Sequence, residues 1–243
     1  MHTGDIDYAG GDANLRGYLA FKDRGAKRPG VLVFHEGLGL GDFAMERARR
    51  LAERGYVALA ADMFGERRQA ADLQQAMALI GELRTNPAKL RARARAAFAT
   101  LIALPEVDAT RCAAIGFCFG GTVALELARD GAELKAAVSF HGVLSTTQPA
   151  AAGAVKASVL VLTGADDPLA PPDQVTAFET EMRAGKVADW QVISYGNALH
   201  GFTNPTADGS IMKSALYDAR PTAAPGRRCR ACLTRCLSED VLA

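Results

Sequence analysis

An α/β domain with a mostly parallel, doubly wound sheet, an antiparallel hairpin at its start and helices on both faces is predicted by three observations. Short β-like runs alternate with longer Ala-, Leu- and Arg-rich stretches. The first two short runs alternate in polarity, as half-buried strands do, whereas the later ones are continuously apolar, as strands covered on both faces are. The length of 243 residues, with 49% hydrophobic and 23% charged content, suits a single core of this class.

The opening runs, residues 6–8 and 15–21, are joined through Gly10-Gly11-Asp12, which predicts the hairpin. Strands buried on both sides follow at residues 31–34, 57–61, 112–117, 136–140, 159–163 and 190–195. Between them residues 43–54, 73–80, 87–103, 122–129 and 174–183 have helix-forming composition. Arg91, Arg93 and Arg95 spread over about 200° of the third helix and alternate only with alanine, so they read as a solvated face and not as a nucleic-acid contact.

Charge and cysteine usage remove several function classes. With 28 Lys+Arg against 27 Asp+Glu the net charge is +1, which provides no global field for nucleic acid or an anionic membrane. No run approaches the ~18 to 20 apolar residues of a membrane helix, and residues 1–17 are polar, so a cytoplasmic chain is expected. Five cysteines are too few for a disulfide scaffold. Two lie mid-chain, Cys112 in a strand and Cys118 just after it, while Cys229, Cys232 and Cys236 crowd the tail.

Gly116-Phe117-Cys118-Phe119-Gly120-Gly121 follows a strand and precedes a helix, the setting of a nucleophile elbow. Glycines two before and two after the nucleophile let strand and helix nearly touch, and the helix N-terminus favours a thiolate. A buried cysteine in a Gly-rich turn fits the hexapeptide equally well. A dinucleotide fingerprint fits poorly, because Cys118 occupies the place of its second glycine, and the Lys and Ser/Thr of a P-loop are missing.

An elbow needs an acid and then a base later in the chain. Residues 159–163 lead into Gly164-Ala165-Asp166-Asp167-Pro168, where Asp167 is assigned as the acid with Asp166 as the alternative, and His200 follows the last strand as the base. His35 and His141 also follow apolar runs, but their order along the chain suits scaffold hydrogen bonding better.

With His35-Glu36-Gly37 after the first buried strand, these motifs resemble the dienelactone hydrolases, or carboxymethylenebutenolidases, a cysteine-using branch of the α/β-hydrolase fold. The likeness spans about residues 5–219. It implies that Glu36 holds the resting thiol and takes part in its activation, and that the N–H groups of Gly37 and Phe119 form the oxyanion hole. It further implies a Cys118-His200-Asp167 triad that cleaves small activated esters or lactones through a thioester. No cofactor is expected, and no metal: a zincin helix needs a second histidine where Gly39 stands. One departure limits the substrate. The family's arginine four residues after the catalytic histidine, which binds a substrate carboxylate, is Asn204 here, leaving Arg67, Arg68 or Arg84 as replacement charges.

Residues 220–243 form an atypical tail after the 1–219 domain, rich in Pro, Arg and Cys where relatives carry a long amphipathic helix, as a shifted reading frame would leave. Leu233, Leu237 and Val241 keep a helical spacing that predicts a replacement helix. A zinc or cluster role for the three tail cysteines lacks a fourth ligand. The expected partner is a small ester or lactone, with neither nucleic acid nor membrane, and the chain is expected to be a monomer or small homo-oligomer. Two other functions compete: a ligand-binding scaffold without turnover, which the complete residue set disfavours, and a thiol redox protein, which lacks a resolving Cys-x-x-Cys at the elbow.

Overall fold

The computed structural model describes residues 1–23 and 25–237. β1 (His2–Ala9) and β2 (Asn14–Phe21) form the antiparallel hairpin, in register from His2 opposite Phe21 to Ala9 opposite Asn14. β2 also pairs antiparallel with β4 (Val57–Ala61). Parallel pairing then joins β4 to β3 (Arg28–Phe34), β5 (Val107–Phe117), β6 (Ala136–Phe140), β7 (Ser158–Gly164) and β8 (Trp190–Tyr195). The order across the sheet is β1-β2-β4-β3-β5-β6-β7-β8.

Among the described residues six helices form, α1 (Asp42–Glu53), α2 (Leu73–Arg84), α3 (Pro87–Ile102), α4 (Phe119–Arg129), α5 (Pro172–Ala184) and α6 (Ala219–Leu237). Asp72 caps α2 by accepting from the Gln75 N–H, and Asn86 caps α3 through the Lys89 N–H, with Pro87 pre-set for the first helical position. Because strand side chains alternate, β3 sends Leu32 and Phe34 to one face and Val31 and Val33 to the other. The first face packs on α3, α4 and α5, and the second on α1 and α6.

The tail forms that second layer's outer half. Cys229, Cys232, Leu233 and Leu237 of α6 are buried against the sheet, although Pro225 lies inside the helix. Arg235 pairs with Asp189 at 2.6 Å, and Arg111 Nε donates to the Leu237 carbonyl at 2.7 Å. Val241, the third residue of the expected stripe, lies outside the described residues.

Two expectations are corrected. Residues 190–195 are not covered on both faces: β8 is the sheet's edge strand, and none of its residues is fully buried. Nor do the three arginines of α3 form a solvated face. Arg93 is buried, gripping Asp12 at 2.8 and 3.0 Å and the Met63 carbonyl at 2.7 Å, Arg91 is bonded to Glu126, and only Arg95, paired with Asp130, remains exposed. Carboxylates on neighbouring elements make burial tolerable there, and composition does not reveal such partners.

Every residue of α4 is buried, including Glu126 and Arg129. Arg129 bonds Glu126 at 2.9 Å, both oxygens of Glu181 at 2.8 Å and the Leu144 carbonyl at 2.7 Å. Arg129→Ala would take the guanidinium from Glu181 and leave Glu126 with Arg91 alone, so it is expected to cost about 3 kcal/mol and lower Tm by roughly 10 °C in thermal denaturation. An unchanged Tm would show that the network contributes nothing.

Candidate active site

β5 ends at Phe117, α4 begins at Phe119, and Cys118 alone makes the turn, with φ 53° and ψ −118°. A non-glycine residue at positive φ is strained, and the surroundings must hold it there. The Cys118 N–H points at both the Phe140 carbonyl (3.0 Å) and His141 Nδ1 (3.1 Å). A Cβ on Gly116 would lie 1.9 Å from the Gly120 carbonyl oxygen, and one on Gly120 would lie 2.2 Å from that of Phe34. Both glycines are therefore required by backbone contact, as the hexapeptide predicted.

Of the two candidate acids, Asp166 is exposed and Asp167 is buried. Asp167 Oδ2 accepts from His200 Nδ1 at 2.8 Å, and its Oδ1 accepts from the Leu169 N–H at 2.8 Å, so the carboxylate is aimed by its own loop. His200 Nε2 is buried without a hydrogen bond of good geometry, beside the Cys118 thiol. Burial alone would lower the His200 pKa, but the Cys118 charge and the Asp167 hydrogen bond outweigh it and raise the imidazole to about 10.

The other two histidines hold the scaffold. His35 accepts from the Met63 N–H at Nε2 (3.2 Å), which leaves Nδ1 to donate to the Glu36 carbonyl at 2.6 Å. His141, accepting from Cys118 at Nδ1, donates from Nε2 to Thr203 Oγ1 at 2.8 Å. Burial depresses both pKa values and keeps the rings neutral.

Glu36 lies across the same cavity. Burial pushes its carboxyl up to about 7, against the opposing pull of the Asn204 hydrogen bond, His200 and Arg47. Asn204 Nδ2 donates to Glu36 Oε2 at 2.7 Å, while Thr206 donates to Asn204 Oδ1 from both its N–H (3.0 Å) and its hydroxyl (2.9 Å). Sequence reading missed this contact and the Thr203 and Thr206 supports, because partners 168 residues apart carry no spacing signal.

Glu36, Gly37, Cys118, Phe119, His200 and Asn204 all line a cavity of about 430 Å³. Its remaining walls come chiefly from α2 and from the loop between β8 and α6, joined by Leu38, Thr122, Val143 and Leu169, and they are mainly apolar. Of the three arginines considered as replacement charges, Arg84 lines the cavity. Arg67 instead bonds Asp5 and the Gly17 carbonyl, and Arg68 the Phe64 carbonyl, so neither serves the site. Among the described residues no three His, Cys, Asp or Glu side chains converge as metal ligands, and no helix is long and apolar enough to cross a membrane.

The dienelactone hydrolase family model matches residues 15–224. A solved structure named m3DLH superposes with a TM-score of 0.93 at 46% identity, covering 98% of this chain and 99% of that one. The crystal structure of P91, described as a dienelactone hydrolase-like promiscuous phosphotriesterase from metagenomic libraries, gives a TM-score of 0.91 at 42% identity with the same coverage. A Methylorubrum extorquens protein, provisionally named carboxymethylenebutenolidase, is 27% identical over 216 residues, 84% of this chain and 74% of that protein.

Two measurements check the site's electrostatics. Since Glu36 titrates near 7 when folded against an ordinary 4.5, the native state keeps a proton that the unfolded chain loses between those values, and stability falls as pH rises through that window. Glu36→Gln is therefore expected to melt several degrees above the parent at pH 8, with the gap closing toward pH 4.5; equal melting at pH 8 would contradict a buried carboxylate. Thiol reactivity is the second. Burial pushes Cys112 up to about 11 and Cys229 to about 12, whereas a hydrogen bond from Cys232 brings Cys236 down to about 6. Iodoacetamide at pH 7.5, followed by peptide mass mapping, should label Cys118 and Cys236 before Cys112 and Cys229.

Proposed function

Because the chain belongs to the dienelactone hydrolase family, and so is a dienelactone hydrolase-like hydrolase, we propose that it cleaves small activated esters or lactones with Cys118 as nucleophile. One observation supports this above the others: Asp167 fixes His200 through Nδ1, leaving Nε2 without a partner beside the only thiol that opens into the apolar cavity among the described residues.

Cys118 and His200 rest as a thiolate–imidazolium pair, the state that a raised imidazole pKa favours. The sulfur attacks the carbonyl carbon and forms a C–S bond, while the π electrons move to oxygen, which accepts from the N–H groups of Gly37 and Phe119. Collapse of the adduct breaks the C–O bond, and the His200 proton passes to the departing alkoxide or enolate, which leaves the imidazole neutral. Water then loses a proton to His200 and attacks the thioester, releasing the acid and restoring the pair. Asp167 orients the imidazole throughout. By the family resemblance, Glu36 takes part in forming the thiolate–imidazolium pair.

Thiolate leaves more readily than an alkyl alkoxide, so adducts of plain alkyl esters revert; aryl esters, enol lactones and thioesters go forward. The likeness to P91 adds phosphotriesters as a second substrate class.

Hydrolysis of p-nitrophenyl acetate should exceed that of ethyl acetate by orders of magnitude, and Cys118→Ala, folded by circular dichroism, should lose it. Quenched turnover should trap one acetyl group on the Cys118 peptide. Asp167→Asn should keep the fold and lower kcat by ~10³ to 10⁴. Turnover that survives Cys118→Ala would exclude the nucleophile.

A further inference from the structure

The lining of the cavity carries a statement about substrate charge, which rests on the hydrolase reading. Seven large apolar side chains are exposed among the described residues, and five of them, Leu38, Leu73, Met77, Leu169 and Ile211, line this one cavity. They come from three separate loops and from α2, so no single amphipathic stretch accounts for them. Exposed apolar side chains converging on one concavity mark a surface that binds an apolar group.

The polar side of the cavity disfavours an anion. Asn204 is neutral and nearly buried, and both ends of its carboxamide are engaged: the oxygen by two donors from Thr206 and the nitrogen by Glu36. The group it holds is itself a carboxyl, which becomes an anion above neutrality and repels a second one. Arg47 is near enough to act on Glu36, but its guanidinium sits over the Phe43 ring at 4.5 Å, donates to the Thr203 carbonyl at 3.4 Å and does not line the cavity. Arg84, the one arginine or lysine among the lining residues, sits at the last turn of α2 and donates to Ser145 Oγ at 3.2 Å, while the His200 charge is matched by Asp167 and the Cys118 sulfur.

We propose that the site takes uncharged esters with an apolar acyl arm and turns away esters whose arm ends in a carboxylate, and that Asn204 sets this preference. An apolar arm lies against Leu73, Met77 and Ile211 and keeps its desolvation gain. A carboxylate in the same place loses water without gaining a cation.

The test compares p-nitrophenyl hexanoate with mono-p-nitrophenyl adipate at pH 8, two esters with the same leaving group and the same six-carbon arm, one ending in methyl and the other in carboxylate. The hexanoate is expected to have a kcat/KM on the order of 10- to 100-fold higher, with most of the difference in KM. Asn204→Arg should narrow the ratio by improving the adipate. A ratio near one in the parent would overturn the proposal, because Arg84 would then be serving the carboxylate. Equilibrium binding of both esters to Cys118→Ala gives the same ratio as a ratio of Kd values and does not depend on turnover. Binding selectivity without hydrolysis by the parent would keep this proposal and remove the hydrolase reading; hydrolysis of both esters at equal rates would do the reverse.

Discussion

At the junction of β5 and α4 the backbones approach so closely that a Cβ at Gly116 or Gly120 would lie within 2.2 Å of a carbonyl oxygen. That contact forces the single intervening residue, Cys118, to positive φ and lifts its side chain off the sheet. The strain is tolerated because the residue's N–H finds acceptors on β6 and on His141, and because the helix that follows is wholly buried. The position of the Cys118 thiol is thus a property of the sheet's central packing, and the geometry of the cavity around it inherits it.

The electrostatics of the site come from the same burial acting with opposite signs on two groups. His200 is buried beside partners that favour its charged form, and its pKa rises. Glu36 is buried beside weaker partners, and its pKa also rises, which for a carboxyl means neutralisation. Asp167 stays aimed because His200 and the Leu169 N–H occupy separate oxygens. An arginine at position 204 would put a charge against Glu36, whereas the asparagine gives a hydrogen bond alone, so position 204 couples the carboxyl's protonation to the kind of substrate the cavity accepts.

The tail shows how little helical composition is needed when a sheet face offers a partner. α6 carries an internal proline and four arginines between Arg227 and Arg235, yet three of its small or leucine side chains, Cys229, Leu233 and Leu237, reach the sheet with a helical period. Cys229 and Cys232 serve there as small apolar groups, which is how buried thiols usually behave. The family match ends at residue 224, inside this helix, so the stretch that completes the second layer is also where the sequence leaves the family pattern.

The sequence by itself determined most of the strands and helices and the sharp turn at Cys118, because these depend on local periodicity and on residues adjacent in the chain. β4, β6 and β8 fall on the residues that periodicity predicts, and Cys118, Asp167 and His200 fall at one edge of the sheet. Tertiary structure decided whatever depends on which distant groups meet and how far water is excluded. It buried Arg93 against Asp12, left β8 at the edge, sent Arg67 and Arg68 away from the cavity and joined Glu36 to Asn204 across 168 residues. A charged side chain's energy is set by its solvent and its partner, and neither is written in its own neighbourhood of the chain.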